Sequence, residues 1–146
     1  MKSADVQSKA KKSRSDGQMS SLAGELFVAA ELLKRGIQTS VTFGNAKAID
    51  LFAYNSETRK NFTVQVKTVR IRNAFPISHA KIHADHIYVF VILNKPGVPV
   101  RYFIVPGAVL ASEPARFSKW FKDYKFPGIP PALLEPFEDN WQLFAE

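Results

Sequence analysis

The spacing of apolar positions divides the chain into a polar head and a patterned body. Residues 1–18 hold almost nothing apolar and carry Lys2, Lys9, Lys11, Lys12 and Arg14 against Asp5 and Asp16. This composition predicts a flexible basic arm ahead of a single domain over residues 19–146. Leu22, Leu26, Ala29 and Leu33 then recur at helical spacing, so a helix is expected from a cap at Ser20 or Ser21 to about Arg35, with Gly36 as its stop. At about 100° per residue those four positions form one stripe, expected to be buried. Glu25 falls about 60° to one side of Leu22, at the stripe's edge, and Glu31 falls opposite it.

Beyond Gly36 the period shortens. Ile37 to Phe43 alternates weakly, residues 48–54 (AIDLFAY) and 62–70 (FTVQVKTVR) read as strands, and the polar NSETRKN between them suits a hairpin loop. Residues 87–93 (IYVFVIL) are continuously apolar, as in a strand covered on both faces. After a turn from Asn94 to Pro99, Arg101 to Val105 gives a strand that pairs back. Ser112, Glu113 and Pro114 should open a second helix, with Phe117, Trp120, Phe121 and Tyr124 on one face and Arg116, Lys119, Lys122 and Lys125 around the other. Five of the nine prolines fall from Pro114 onward, so an irregular C-terminal tail is expected, anchored by Trp141 and Phe144. The order of helix, mixed or antiparallel strands and helix is that of an α/β or α+β domain.

Bulk properties narrow the class. The 146 residues suit one domain, and 46% hydrophobic content supplies a core. There are no cysteines, which excludes disulfides and thiolate metal sites. The net charge of +7 favours an anionic partner. A membrane surface is disfavoured because the basic residues do not share an exposed helix with a large apolar face. The apolar run from Ile87 to Leu93 is too short to span a bilayer, and the N-terminus has no secretory pattern, so a cytoplasmic location is expected.

The hairpin brings chemistry together. If Tyr54 pairs near Phe62, Asp50 lies opposite roughly Val66, beside Gln65 and Lys67, which share one face of their strand. Polar groups in so apolar a setting need partners or a purpose. With Glu25 looking inward from the helix, the set offers two carboxylates, an amide oxygen and a lysine, and the Val66 carbonyl is within reach. Such a donor set suits a hard cation such as Mg²⁺ (or Mn²⁺), which can polarise a phosphoryl oxygen while Lys67 orients or helps deprotonate a water. A purely structural reading has Lys67 snorkelling to a strand end and Asp50 pairing with it.

Gly24-Glu25 on a helix, Asp50 on a strand and Gln65-Val66-Lys67 on the next strand together resemble the PD-(D/E)xK nuclease superfamily, over about residues 20–105. That superfamily includes restriction enzymes and archaeal Holliday-junction resolvases. The resemblance implies a restriction-endonuclease-like fold, with a central mixed four- to five-stranded sheet flanked by helices. It also implies Mg²⁺-dependent hydrolysis of DNA phosphodiester bonds. Asp50 and Gln65 would be metal ligands, Lys67 the catalytic lysine and Glu25 the accessory acid. Two positions depart from the pattern: Ala48-Ile49 stands where a proline can precede Asp50, and Gln65 replaces an acid. An amide ligates through its oxygen but brings no charge. This variant is similar to the one in small homing endonucleases associated with group I introns.

The remaining polar residues are weighed against bland roles. His79 and His83 are four apart, but no carboxylate pattern completes a zinc site with them and His86, Asp85 being the one nearby acid. A solvent-exposed or DNA-facing role for one of them is expected. Arg70, Arg72, Lys81 and Arg101 are expected near one end of the sheet, where they would contact phosphates or simply be solvated. Three functions therefore stand: a DNA endonuclease, expected to be a homodimer or higher homo-oligomer because two strands need two sites; a DNA-binding module that has lost catalysis; and a basic interaction protein.

Overall fold

In a computed structural model of the chain, the structure describes residues 2–42, 49–122 and 125–146, with residues 2–16 described by backbone alone. Helix α1 spans Lys2–Lys34. It begins well before Ser20 and Ser21, so the boundary expected at residue 18 falls inside it. Lys, Ala, Gln and Arg, all favourable helix residues, dominate the added turns, and no proline precedes Pro76. The side chains of Lys9, Lys11, Lys12 and Arg14 lie outside the described residues.

The stop is as expected. Gly36 adopts φ 81°, its N–H donates to the Leu33 carbonyl at 2.9 Å, and the Ile37 N–H donates to Leu32 at 2.9 Å. That pair of bonds is a Schellman cap, closed by Ile37 and Leu32 meeting in the core.

The buried face of α1 differs from the expected stripe. Ser20, Gly24, Val28, Ala29 and Leu32 point inward, whereas Leu22, Leu26 and Leu33 are 43%, 47% and 55% exposed. Small residues win the inward face because the helix lies close on the sheet: a Cβ on Gly24 would sit 1.9 Å from the Thr68 Oγ1. Glu31, expected to face solvent, is half-buried and ion-paired to Arg35.

Five strands form the main sheet, in the order β1 (Gln38–Val41), β2 (Leu51–Asn55), β3 (Lys60–Val69), β5 (Ile87–Ile92), β6 (Arg101–Pro106). Only β3 and β5 run parallel; the other pairs are antiparallel. The crossover between β3 and β5 contains β4 (Phe75–Pro76), which pairs with β7 (Gly128–Ile129) in a small second sheet. Every residue of β5 is buried, as its unbroken apolar run requires.

The β2–β3 hairpin forms, but one residue tighter than expected, with Tyr54 opposite Asn61 and Leu51 opposite Val64. Asn55 causes the difference: its Oδ1 accepts the Glu57 and Thr58 N–H groups, closing an Asx turn. Its Nδ2 donates to the Phe144 carbonyl at 2.9 Å, tying down the C-terminal tail.

Two cores flank the sheet. Val28, Leu32, Val64, Val66, Val89, Trp141 and Phe144 fill the α1 side. Phe75, Tyr88, Phe90, Phe117, Phe121 and Phe137 fill the other. The helix expected to open at Ser112, Glu113 and Pro114 does start at Pro114, but as a single 3₁₀ turn over Pro114–Arg116. α2 covers Gly107–Ser112, and α3 is one turn, Lys119–Lys122. Pro114 drives Glu113 out of the helical region (φ −127°, ψ 54°), and Ser118 takes φ 154°. Phe117 and Phe121 still bury as expected, whereas Trp120 is 42% exposed and Tyr124 lies outside the described residues.

Candidate active site

The close seat of α1 on β3 at Gly24 and Thr68 is what delivers the next residue, Glu25, to the sheet. Glu25 is half-buried and its carboxyl lies beside that of Asp50. Burial first, then the Asp50 charge, pushes the Glu25 carboxyl up to about 7. A carboxyl beside a carboxylate shares a proton until a cation replaces it.

Asp50 is fixed through its backbone. Its N–H donates to Val64 at 2.9 Å and its carbonyl accepts the Thr42 N–H at 2.9 Å. The Asp50 Oδ2 accepts the Val66 N–H at 2.8 Å, so the carboxylate meets β3 between Gln65 and Lys67. Alternation along β3 sends Val64 and Val66 into the α1-side core. Gln65 and Lys67 both line a cavity of about 910 Å³ instead, with Phe75, Ile77, Lys81, His83, Tyr88 and Phe126.

Gln65 is 5% exposed and satisfied. Its Nε2 lies 3.0 Å from the His86 Nδ1 and donates to the Tyr88 Oη at 3.0 Å. The Tyr88 Oη also accepts the His83 N–H at 2.9 Å. Burial holds the His86 imidazole below its usual value, consistent with a neutral ring that accepts from the amide. With its nitrogen engaged, Gln65 keeps its oxygen as the atom for a cation.

The structure therefore brings Glu25 and Asp50 into contact and sets them against the backbone of β3. It places Gln65 and Lys67 together on the cavity wall. Among the described residues Lys67 forms no ion pair with Asp50, which removes the pairing that a purely structural role would supply. The chemistry of the two carboxylates suits a divalent cation, and the Gln65 amide oxygen and the Val66 carbonyl are hard oxygen donors of the same kind.

The basic residues separate. Lys81 lines the cavity. Arg70 donates from Nε to the Ser20 Oγ at 3.1 Å, and Arg72 is exposed. Arg101 is committed to Glu138 through two hydrogen bonds of 2.8 and 2.9 Å. The histidines also sort differently from their spacing. Residues 79–81 form a 3₁₀ turn, so His79 and His83 do not share a helical face. His79 contacts the Ala111 carbonyl at 2.8 Å and stands edge-on to Phe121. His83 instead stacks on His86 at 4.5 Å, and Asp85 lies with them. The sequence signal for this group is His-x-Asp-His, read at short range rather than at helical spacing. Tyr88 and His86 as partners of Gln65 carry no local signal, because they arrive through the parallel pairing of β3 with β5.

The fold is a mixed α+β sheet of the Holliday junction resolvase kind. The structure of Archaeoglobus fulgidus Hjc, a Holliday junction resolvase from an archaeal hyperthermophile, matches it with a TM-score of 0.57 and 13% identity, over 86% of this chain and 96% of that one. At that identity the likeness concerns the fold. No family model matches the chain. No curated protein matches it at a significant level. Among the described residues no helix is long and apolar enough to cross a membrane.

Proposed function

We propose that the chain is a divalent-metal-dependent DNA endonuclease. The observation that carries the reading is the Glu25–Asp50 carboxyl pair, anchored on the β3 backbone between Gln65 and Lys67. Like-charged groups brought this close are unfavourable in a merely structural role and become favourable around a cation. The resolvase-like fold and the charge of +7 support a nucleic-acid substrate.

In this reading Asp50, Glu25, the Gln65 oxygen and the Val66 carbonyl hold Mg²⁺ or Mn²⁺, which supplies charge to a scissile phosphate. Lys67 orients the attacking water and offsets phosphate charge from the cavity side. Lys81 meets a neighbouring phosphate across the cavity, and Arg70 and Arg72 track the backbone further along, with Lys9, Lys11, Lys12 and Arg14 as additional phosphate contacts. Two strands call for two sites, so the active species is a homodimer or higher homo-oligomer. The outward leucines of α1, Leu22, Leu26 and Leu33, are apolar surface of the kind that such a contact covers.

One observation favours a second reading, a DNA-binding module without catalysis. Gln65 brings no charge, and its amide is engaged by His86 and Tyr88. Incubating duplex, branched and single-stranded DNA with the protein in Mg²⁺, Mn²⁺ or EDTA separates the two. Metal-dependent cutting supports the endonuclease. Salt-sensitive binding with no cutting on any substrate supports the module, and binding without a salt slope contradicts both.

A further inference from the structure

We propose that His83, Asp85 and His86 form a cation site of their own, for a borderline divalent transition ion such as Zn²⁺ or Co²⁺. The site is separate from the Glu25–Asp50 pair. One ligating atom from each of the three residues lies within 4.8 Å of the others. Bonds of ~2.0–2.2 Å to one shared ion require the exposed His83 ring to swing out of its stack on His86. Two imidazoles and one carboxylate favour this class of ion over Mg²⁺ or Ca²⁺, which prefer all-oxygen surroundings.

The turn that carries the three residues is held from several sides. The His86 N–H donates to the His83 carbonyl at 3.1 Å, and the Gly107 N–H donates to the His86 carbonyl at 2.7 Å. The His83 N–H is bound to the Tyr88 Oη at 2.9 Å. Gly107 packs so tightly that a Cβ there would lie 2.2 Å from the His83 carbonyl oxygen and 2.6 Å from that of His86. A site ordered by folding binds without a large further ordering penalty. Gln65 fixes the His86 ring by donating from Nε2 to Nδ1 at 3.0 Å; ligation through the His86 Nε2 moves the ring proton to Nδ1 and turns the Gln65 amide oxygen toward it. His83 and Asp85 are exposed, which leaves the remaining coordination positions to water. His83 also lines the cavity shared by Gln65 and Lys67, so the ion would put positive charge on that wall, near the residue that brings none.

The test is metal uptake by the full chain without DNA. The EDTA-stripped protein is dialysed against Zn²⁺, and Co²⁺ is followed by its visible absorption. The expected result is one equivalent of Zn²⁺, retained in excess Mg²⁺. His83→Ala and Asp85→Asn each weaken binding at least about tenfold, while Glu25→Gln leaves it unchanged. Both substituted side chains are exposed, and circular dichroism confirms that each variant is folded. Absence of stoichiometric uptake, uptake unaltered by His83→Ala and Asp85→Asn, or loss in Glu25→Gln would overturn the proposal. Because no cleavage is read, these outcomes are distinct from the success or failure of the endonuclease reading.

Discussion

Replacing Glu25 by glutamine should stabilise the metal-free protein above neutral pH and leave it unchanged in acid. In the unfolded chain this carboxyl ionises near 4.5, whereas in the fold it holds its proton to about 7. Between those values the folded state binds the extra proton, so wild-type stability falls as pH rises through that window and levels off above it. A displacement from 4.5 to about 7 corresponds at full value to about 3 kcal/mol. The group is only half-buried, so solvent screening reduces the realised figure to about 1–2 kcal/mol. Glutamine keeps a donor for Asp50 and never ionises. For a domain of this size the gain at pH 8 amounts to about 3–6 °C in Tm. The assay is thermal and urea denaturation of both proteins in EDTA at pH 5 and pH 8. An equal difference at the two pH values, or a variant that is less stable at pH 8, would refute the reasoning. Added Mg²⁺ should stabilise the wild type more than Glu25→Gln.

Four further positions, Gly24, Gln65, Arg101 and Lys81, probe the surroundings. Gly24→Ala places a methyl 1.9 Å from the Thr68 Oγ1, so it should destabilise by about 1–3 kcal/mol; Thr68→Ala in the same chain should restore most of that loss in a denaturation series. Gln65→Glu removes both donated hydrogen bonds and should weaken the metal-free fold by about 1–3 kcal/mol while tightening Mg²⁺ binding. The His86 imidazole should then titrate higher than in the wild type by NMR, and an unchanged titration would contradict the Gln65–His86 contact. Arg101→Ala should lose about 1 kcal/mol of stability, since the pair it forms with Glu138 is 34% and 33% exposed. It should leave DNA affinity intact, whereas Lys81→Ala should weaken binding and reduce the salt slope by about 1.

Local patterns carried much of this arrangement. Gly36 marked the end of α1, and Gln65 and Lys67 fell on a hairpin that does form, whereas Asp50, expected on its first strand, sits immediately before β2. Glu25 could be placed inward because it lies between the stripe drawn through the leucines and the face that is actually buried. Hydrophobicity misplaced that face because backbone proximity, through Gly24, outweighed side-chain size. The hairpin register slipped by one because the Asn55 turn uses fewer residues than the polar linker offered. The helix that opens at Pro114 is interrupted at Ser118, where the backbone takes φ 154° between the Pro114–Arg116 turn and α3. The partners of Gln65 depend on a parallel pairing across an intervening crossover, which no short window contains.

Lys67→Ala tests the central claim most directly, measured as cleavage and binding of the same DNA substrates in Mg²⁺, Mn²⁺ and EDTA. The account predicts that the wild type cuts only with metal, and that the variant stays folded, binds DNA and does not cut. Metal-dependent cutting that survives in Lys67→Ala would contradict it.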